Sequence, residues 1–186
     1  MNSYAKHACR SVFFLFAVLA LLSLAAGCGG PVHRLDETLA GPQLVVNPDV
    51  LRLGVAKVLK TDIVFSGAGF SPEEKIMVVL RGDDPGTKDA VVPLGYGTAD
   101  ARGRFTVTVE KKMKIYNLLN ADVTFGEKGA IVLVSGPPVP AGDYTARATG
   151  YSSDRRAACT MTLAPPSFFD RIKDRIARML GKIESD

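Results

Sequence analysis

The stretch RFTVTVE, residues 104–110, decides the fold class because its apolar and polar side chains alternate strictly. Phe105, Val107 and Val109 fall on one face, and the charged and threonine side chains fall on the other. A period of two is typical of a β-strand with one buried face. The pattern therefore predicts a strand in an antiparallel sheet that covers a core.

The same period returns in YTARAT, with Tyr144 inward, and in AACTMTL, with Cys159 and Met161 inward. Runs that are apolar on both sides are typical of central strands, and they lie at residues 63–66, 76–80 and 131–134. Weaker strand candidates lie at residues 44–46, 50–53 and 90–94. Turn-forming sequences separate these runs. Together they predict a mainly β fold, a single antiparallel β-sandwich over residues 43–164.

One segment interrupts the strands with roughly helical spacing. Residues 111–120 predict a short helix that crosses between strands. It carries Lys111, Lys112 and Lys114, a tight basic cluster that we expect to form a solvated helix face because acidic residues flank it. Contact with anionic lipid or polysaccharide is the alternative.

The N-terminal residues 1–27 have the pattern of a secretory signal. Basic residues precede an apolar run over residues 12–22, and small residues follow before Cys28. The run is too short for a spanning helix, which needs about 20 apolar residues. Without this segment, which holds two basic and no acidic residues, the formal net charge falls from +4 to +2. Such a weak charge argues against a nucleic-acid partner.

Residues 24–30, LAAGCGG, resemble a bacterial lipobox, although Ala25 stands where Leu is most common. The resemblance implies that Cys28 becomes the first mature residue and carries a diacylglycerol, which anchors the chain to the membrane. Because Gly29 rather than Asp follows Cys28, it also implies an outer-membrane location, facing the periplasm or the cell surface. Ordinary cleavage after Gly27 is the alternative.

Residues 28–42 are rich in glycine and proline and predict a flexible tether, with a reach on the order of 20 Å. If Cys28 is acylated, Cys159 has no disulfide partner, whereas two free thiols could pair in an oxidising compartment. His33, the single histidine of the predicted mature chain, lies in this tether. A tether does not hold a catalytic base rigidly.

Other candidates for chemistry are weak. Asp83, Asp84 and Asp89 surround a Pro-Gly pair, which predicts a β-turn, with a calcium ion as the alternative. Glu73 and Glu74 have no partner that makes them a catalytic pair. The sequence therefore predicts a protein that is not an enzyme and has no cofactor and no metal site.

Three motifs resemble bacterial Ig-like modules of the IPT/TIG type. Residues 67–74, GAGFSPEE, are similar to their G-x-G-F-x-P-G-E segment, with Glu73 where Gly is common. Residues 100–105, DARGRF, and 141–144, AGDY, are similar to later turns into strands. The resemblance spans about residues 44–164 and implies an Ig-like sandwich that acts as a spacer, an adhesion unit or an assembly part. The chain lacks the core Trp and inter-sheet cysteine pair of antibody domains.

The C-terminal residues 165–186 predict an amphipathic helix. Ser167 and Asp170 resemble a capping box, and Asp174 with Arg178 is an i,i+4 pair. The apolar stripe comprises Phe168, Phe169, Ile172, Ile176, Met179, Leu180 and Ile183. The basic residues beside it are Arg171, Lys173, Arg175, Arg178 and Lys182. We expect this helix to bind an envelope protein or a membrane surface, and packing of the stripe on the sandwich or on the residue 111–120 helix is the alternative.

The predicted function is that of a non-catalytic, lipid-anchored cell-envelope protein that acts as a structural or protein-binding module. The alternative is a carbohydrate- or ion-binding accessory lipoprotein of a transporter or surface complex. A glycan-binding version would need exposed aromatic side chains, for which Tyr96 and Tyr151 are the candidates.

Overall fold

A computed structural model describes residues 32–88, 90–126 and 129–185. The predicted signal at 1–27, Cys28 and Asp89 lie outside these residues. The strands are β1 (Gln43–Asn47), β2 (Val50–Arg52), β3 (Val64–Ala68), β4 (Lys75–Gly82), β5 (Val91–Thr98), β6 (Phe105–Thr108), β7 (Ala121–Gly126), β8 (Gly129–Val134), β9 (Gly142–Gly150), β10 (Arg156–Ala164) and β11 (Ile183–Ser185). The helices are α1 (Val55–Lys60), α2 (Lys111–Met113), which continues as a π-helix over Lys114–Leu118, and α3 (Phe168–Met179).

The strands form three sheets in the described part of the chain. The first has the order β1-β3-β6 and the second the order β2-β10-β9-β4-β5. Because β1 contacts β10 and β5 contacts β6, these two sheets pack on each other as in a sandwich. The third has the order β11-β8-β7. All pairs are antiparallel except β2 with β10 and β11 with β8.

The prediction of a mainly β fold is confirmed, and so is the predicted helix that crosses at residues 111–120. All nine predicted strands are present, and the three runs that are apolar on both sides form β3, β4 and β8, each paired with a strand on both sides. Alternation also gave the correct faces: Phe105 and Val107 are buried, and Tyr144 is fully buried.

Tyr144 links the core to the turn before β9. Its side chain has no exposed area, and its hydroxyl donates a hydrogen bond to the carbonyl oxygen of Pro140 at 2.7 Å. This bond joins the start of β9 to the chain four residues upstream. The ring fills the core while the hydroxyl fixes the approach of the chain to the strand.

Part of the architecture differs from the sequence prediction. Helix α1 and strands β7 and β11 were not predicted, and the predicted helix over residues 165–186 ends at Met179. Gly181 has a φ of 65°, a left-handed conformation that ends helices. The chain beyond it forms β11, where Ile183 pairs with Val132 and is buried. The prediction that Ile183 continues the apolar stripe is therefore wrong.

The predicted solvated lysine cluster is also only partly present. Lys111 and Lys112 are exposed, but Lys114 is 1% exposed and donates a hydrogen bond from Nζ to the carbonyl oxygen of Thr61 at 2.8 Å. Burial lowers the pKa of Lys114, because desolvation disfavours its charged form. The π-helical turn over Lys114–Leu118 carries this lysine inward, so it ties α2 to the end of α1.

From His33 onward, the chain that precedes β1 lies against the domain. His33 N–H donates to Asn47 Oδ1 at 2.8 Å, and its Nε2 lies 3.0 Å from Asp49 Oδ2. Asp36 and Gln43 exchange further hydrogen bonds, and Arg104 forms an ion pair with Glu37. These residues of the predicted tether are thus attached to the domain surface.

Candidate functional site

Helix α3 begins at the predicted capping box. Ser167 Oγ accepts a hydrogen bond from the Asp170 N–H at 3.2 Å, and Asp170 Oδ2 accepts one from the Ser167 N–H at 3.0 Å. Burial raises the pKa of Asp170, but the bonds from Ser167 and the charges of Lys173 and Lys57 outweigh it and lower the pKa. The first turn of α3 therefore lies against the domain, and the Asp170 carboxylate is buried there.

A second carboxylate attaches α3 to α1. Asp174 accepts hydrogen bonds from the backbone N–H groups of Val55 at 2.9 Å and Ala56 at 3.0 Å. These groups have no partner within α1, because they belong to its first turn. The predicted pair with Arg178 does not form, since the carboxylate of Asp174 points to α1. A Cβ on Gly54 would lie 2.7 Å from Asp170 Cβ, so glycine at this position permits the close approach.

This attachment leaves the apolar stripe of α3 facing outward. The exposed fraction ranges from 39% for Ile172 to 82% for Met179. The other exposed members of the stripe are Phe168, Phe169, Ile176 and Leu180. The alternative that the stripe packs on the sandwich or on α2 is therefore wrong. Isolated surface apolar residues are common, but a contiguous patch of large exposed apolar side chains is unusual on a soluble domain.

The predicted basic residues of α3 lie between its attached face and its apolar stripe. Arg171, Arg175 and Arg178 are exposed and line one side of a groove of about 560 Å³. Its apolar floor includes Leu53 and Val134. Among the described residues, no carboxylate lies within ion-pair distance of these three guanidinium groups. The groove and the stripe together form a surface that combines apolar area with unpaired positive charge.

A buried carboxylate, Glu74, lies between the turn before β4 and the turn after β9, and nothing in the sequence indicated its burial. Glu74 is 3% exposed and accepts hydrogen bonds from Ser71, Ser152 and Ser153. Burial raises its pKa, but the bonds from Ser153, Ser71 and Ser152 outweigh it and lower the pKa to about 2. A Cβ on Gly150 would collide with this carboxylate. Since the acceptor positions are occupied, Glu74 connects two loops and is not arranged as a proton-transfer group.

Glu73 occupies the position where the resembled Ig-like modules have glycine. Its φ is 58°, in the left-handed region that favours glycine. The turn therefore needs the conformation that the motif's glycine supplies, and this chain adopts it with a glutamate.

The aspartates after β4 form a turn, as predicted. The Thr87 N–H donates to the Asp84 carbonyl at 2.9 Å, and the Asp84 carboxylate accepts from the Asp143 N–H at 2.9 Å. Asp83 Oδ2 accepts from the Thr145 hydroxyl at 2.7 Å. Within the described ranges, no three His, Cys, Asp or Glu side chains gather in a way that could hold a metal ion.

Cys159 lies on β10 with the inward residues but is only half-buried. Burial raises the pKa of its thiol to about 11. The thiolate is the reactive form of cysteine, so this thiol is unreactive at neutral pH.

Tyr96 and Tyr151 lie at one groove, although the sequence separates them by more than fifty residues. They are 62% and 65% exposed, and with Lys75 they line a groove of about 610 Å³ at the ends of β4, β5 and β9. The sequence does not reveal this proximity. It results from the antiparallel pairing of β4 with both β5 and β9.

Comparison with known proteins assigns no family. No protein-family model and no curated protein matches the chain. Macromomycin is similar in structure with a TM-score of 0.40 and 18% identity, over 67% of this chain and 100% of that chain. The Bifidobacterium adolescentis GH3 beta-glucosidase gives a TM-score of 0.31 and 18% identity, over 67% of this chain and 17% of that chain. Scores this low establish neither a shared fold nor a shared activity. Among the described helices, none has the length and apolar character needed to cross a membrane.

Proposed function

We propose that this chain is a non-catalytic, lipid-anchored cell-envelope protein whose Ig-like β-sandwich presents helix α3 as an interaction face. The orientation of α3 carries the proposal. The helix directs its carboxylates, Asp170 and Asp174, toward the domain and its apolar side chains toward solvent. An ordinary surface helix does the reverse. Apolar area that is exposed to water costs free energy, and a partner that covers the area removes this cost.

The polar groups with shifted pKa values support a non-catalytic role. The Glu74 carboxylate and the Lys114 ammonium are each held by hydrogen bonds within the domain, and the raised pKa of Cys159 keeps its thiol protonated. A catalytic site brings such groups together in one cleft with room for a substrate. Here these groups lie on separate elements. The hydrogen bonds of Glu74 and Lys114 give both side chains a structural role.

The Ig-like assignment is supported by two local geometries. Tyr144 forms a tyrosine corner with Pro140, and Glu73 has the left-handed backbone of the motif's glycine. Lipid attachment is supported by the lipobox-like sequence around Cys28. These features favour a module held at a membrane by its N-terminus.

The anchor is tested in the full chain, expressed in a bacterium and labelled with a fatty-acid probe. We expect wild type to fractionate with membranes and take the label, and Cys28→Ser to lose both. Cys159→Ser is the matched control and should keep both, because Cys159 lies on β10 and outside the lipobox-like sequence. Unlabelled wild-type protein in the soluble fraction would overturn the lipoprotein assignment.

The interaction face is tested with the protein spanning residues 31–186, which forms one compact unit. We expect it to bind washed bacterial envelopes, and Phe169→Glu with Met179→Glu to abolish binding. Val91→Glu is the control, because Val91 is also exposed, at 56%, but lies on β5. Equal binding by all three proteins would show that α3 is not the interaction face.

A second candidate function is glycan binding at the groove between Tyr96 and Tyr151. Two exposed aromatic side chains beside one groove are suited to stack on sugar rings. Tyr96→Ala and Tyr151→Ala should then each weaken binding to envelope polysaccharide, measured by calorimetry. The control Tyr116→Ala changes an exposed tyrosine elsewhere, and equal affinity for all variants would exclude this candidate.

A further inference from the structure

The apolar stripe of α3 is bordered by positive charge on both sides. At about 100° per residue, its six apolar side chains from Phe168 to Leu180 occupy an arc of about 120°. Arg171, Arg175 and Arg178 fall on one border, and Lys173 falls on the other. The arc between these borders holds Asp170 and Asp174 and faces the domain.

We propose that α3 lies flat on an anionic phospholipid surface, with the apolar stripe among the acyl chains and the bordering cations at the headgroup phosphates. This rests on the proposed function, in which α3 is the interaction face, and it names the partner. An amphipathic helix with large apolar side chains on one face and Lys and Arg beside them is the form that binds in the membrane interface.

The charge distribution selects a lipid surface over a protein groove. Of the two acidic side chains of α3, Asp170 is 7% exposed and bonds to the helix's own N-cap, Ser167, and Asp174 is half-buried and accepts from the first turn of α1. The exposed charged side chains of the helix are therefore all cations. Long cationic side chains at the border of an apolar stripe can keep their charge in the headgroup layer while their carbon chains lie in the apolar region.

The fixed orientation of α3 also suits a flat surface. The two hydrogen bonds to Asp174 and the burial of Asp170 beside Gly54 hold the helix against rotation about its own axis. The stripe is thus presented before binding, and docking does not require the helix to fold or turn over. A preformed face loses less conformational freedom on binding than a segment that must first become ordered.

The predicted anchor residue, Cys28, lies a few positions before a segment that is linked by hydrogen bonds to the strand leading into α3. Asn47 and Asp49 bind His33, and the Asp49 carbonyl accepts from the Thr162 N–H at 2.7 Å. Thr162 lies on β10, the strand that leads into α3. His33 lies five positions after Cys28, and a segment of this length spans at most about 17 Å. Acylation at Cys28 would therefore hold the α3 edge of the domain near the bilayer, where two signals give stable attachment.

The test uses unacylated protein spanning residues 31–186 and vesicles of phosphatidylcholine, alone or mixed with phosphatidylglycerol. In a flotation assay we expect binding to the mixed vesicles, much weaker binding to phosphatidylcholine alone, and a decrease with added salt. Changing Arg171, Arg175 and Arg178 together to Gln should weaken binding to the mixed vesicles by about a hundredfold, at about fivefold per charge.

Two further variants complete the test. Phe169→Glu with Met179→Glu should abolish vesicle binding with an unchanged melting temperature, because both side chains are exposed, and Val91→Glu should bind as wild type does. Failure to bind mixed vesicles would overturn the lipid assignment. If washed envelopes still bind the protein, and no longer bind it after the envelopes are treated with protease, the partner is a protein and α3 remains the proposed interaction face. If the envelopes do not bind either, the proposed function fails as well.

Discussion

The carboxylate of Glu74 accepts two hydrogen bonds from Ser153, one from the backbone N–H at 2.6 Å and one from the hydroxyl at 2.8 Å. Through this pair, the turn before β4 is joined to the turn between β9 and β10. The residues lie far apart in sequence, and the carboxylate is buried. Its charge is therefore compensated by N–H and O–H donors and not by a cation.

Glu74→Gln should destabilise the domain by about 1–3 kcal/mol at neutral pH, because the amide nitrogen cannot accept from the donors around it. The pKa of Glu74 is about 2 in the folded state, below its value of 4.5 in a model compound. The ionised group therefore stabilises the fold above about pH 4.5, and this contribution is lost as the pH falls toward 2. Urea unfolding at several pH values should show the difference from wild type shrinking over this interval. Glu73→Gln, next to it but exposed, is the control and should leave the free energy of unfolding at neutral pH close to that of wild type.

Glu73→Gly should stabilise the domain by about 0.5–1 kcal/mol, because a φ of 58° is strained for glutamate and open to glycine. Thermal unfolding measures the change. Ala101→Gly, in another exposed turn but with no positive φ, should lower the melting temperature. If both glycine variants are destabilised alike, the left-handed backbone at Glu73 carries no strain.

Tyr144→Phe should cost about 1–2 kcal/mol, because it removes the hydroxyl bonded to the Pro140 carbonyl and leaves that oxygen without its donor. Chemical denaturation of both proteins gives the difference. Tyr151→Phe is the control, since the hydroxyl of Tyr151 contacts only the sulfur of Met77 at 3.8 Å. A loss no larger than that of the control would show that the corner does not stabilise the fold.

Asp174→Ala should loosen α3 from the domain at a cost of about 1 kcal/mol, since the first-turn N–H groups of α1 lose their acceptor. Limited trypsin digestion should then cut sooner at Arg171 and Arg175. Asp154→Ala removes an exposed carboxylate paired with Arg156 and should leave the digestion unchanged. Equal digestion of both variants would argue that the bonds to Asp174 are not what holds the helix to the domain.

Hydrophobic alternation predicted the strands because one face of each sheet is buried, and for the same reason it identified Phe105 and Tyr144 as core residues. It did not predict α1, whose six residues are too few to establish a helical period. Nor did it predict β11, because Ile183 also fits the spacing of the preceding helix. Ile183 becomes a strand residue because it pairs with Val132 on β8, a contact that the local sequence does not reveal.

The composition of the candidate surface was predicted, and binding of the stripe to an external partner was favoured over its packing on the domain, but no sequence pattern determined its orientation. The spacing of the apolar residues defines a stripe, yet it cannot say whether the stripe faces inward. That choice depends on Asp174 meeting the start of α1, a contact between residues more than a hundred positions apart. Glu74 was not identified as buried because its partners at Ser152 and Ser153 come from a distant turn.

Strand β11 has a mechanical consequence for α3. The helix is continuous with β10 at one end, and beyond Gly181 the chain is paired with β8 at the other. A load on α3 is therefore divided between two sheets and does not peel away a free tail. A pull directed along β11 would load its hydrogen bonds to β8 together, in shear, whereas a pull across the strand would open them one by one. The helix is thus fastened at both ends, so that a lateral force on α3 passes into the body of the domain.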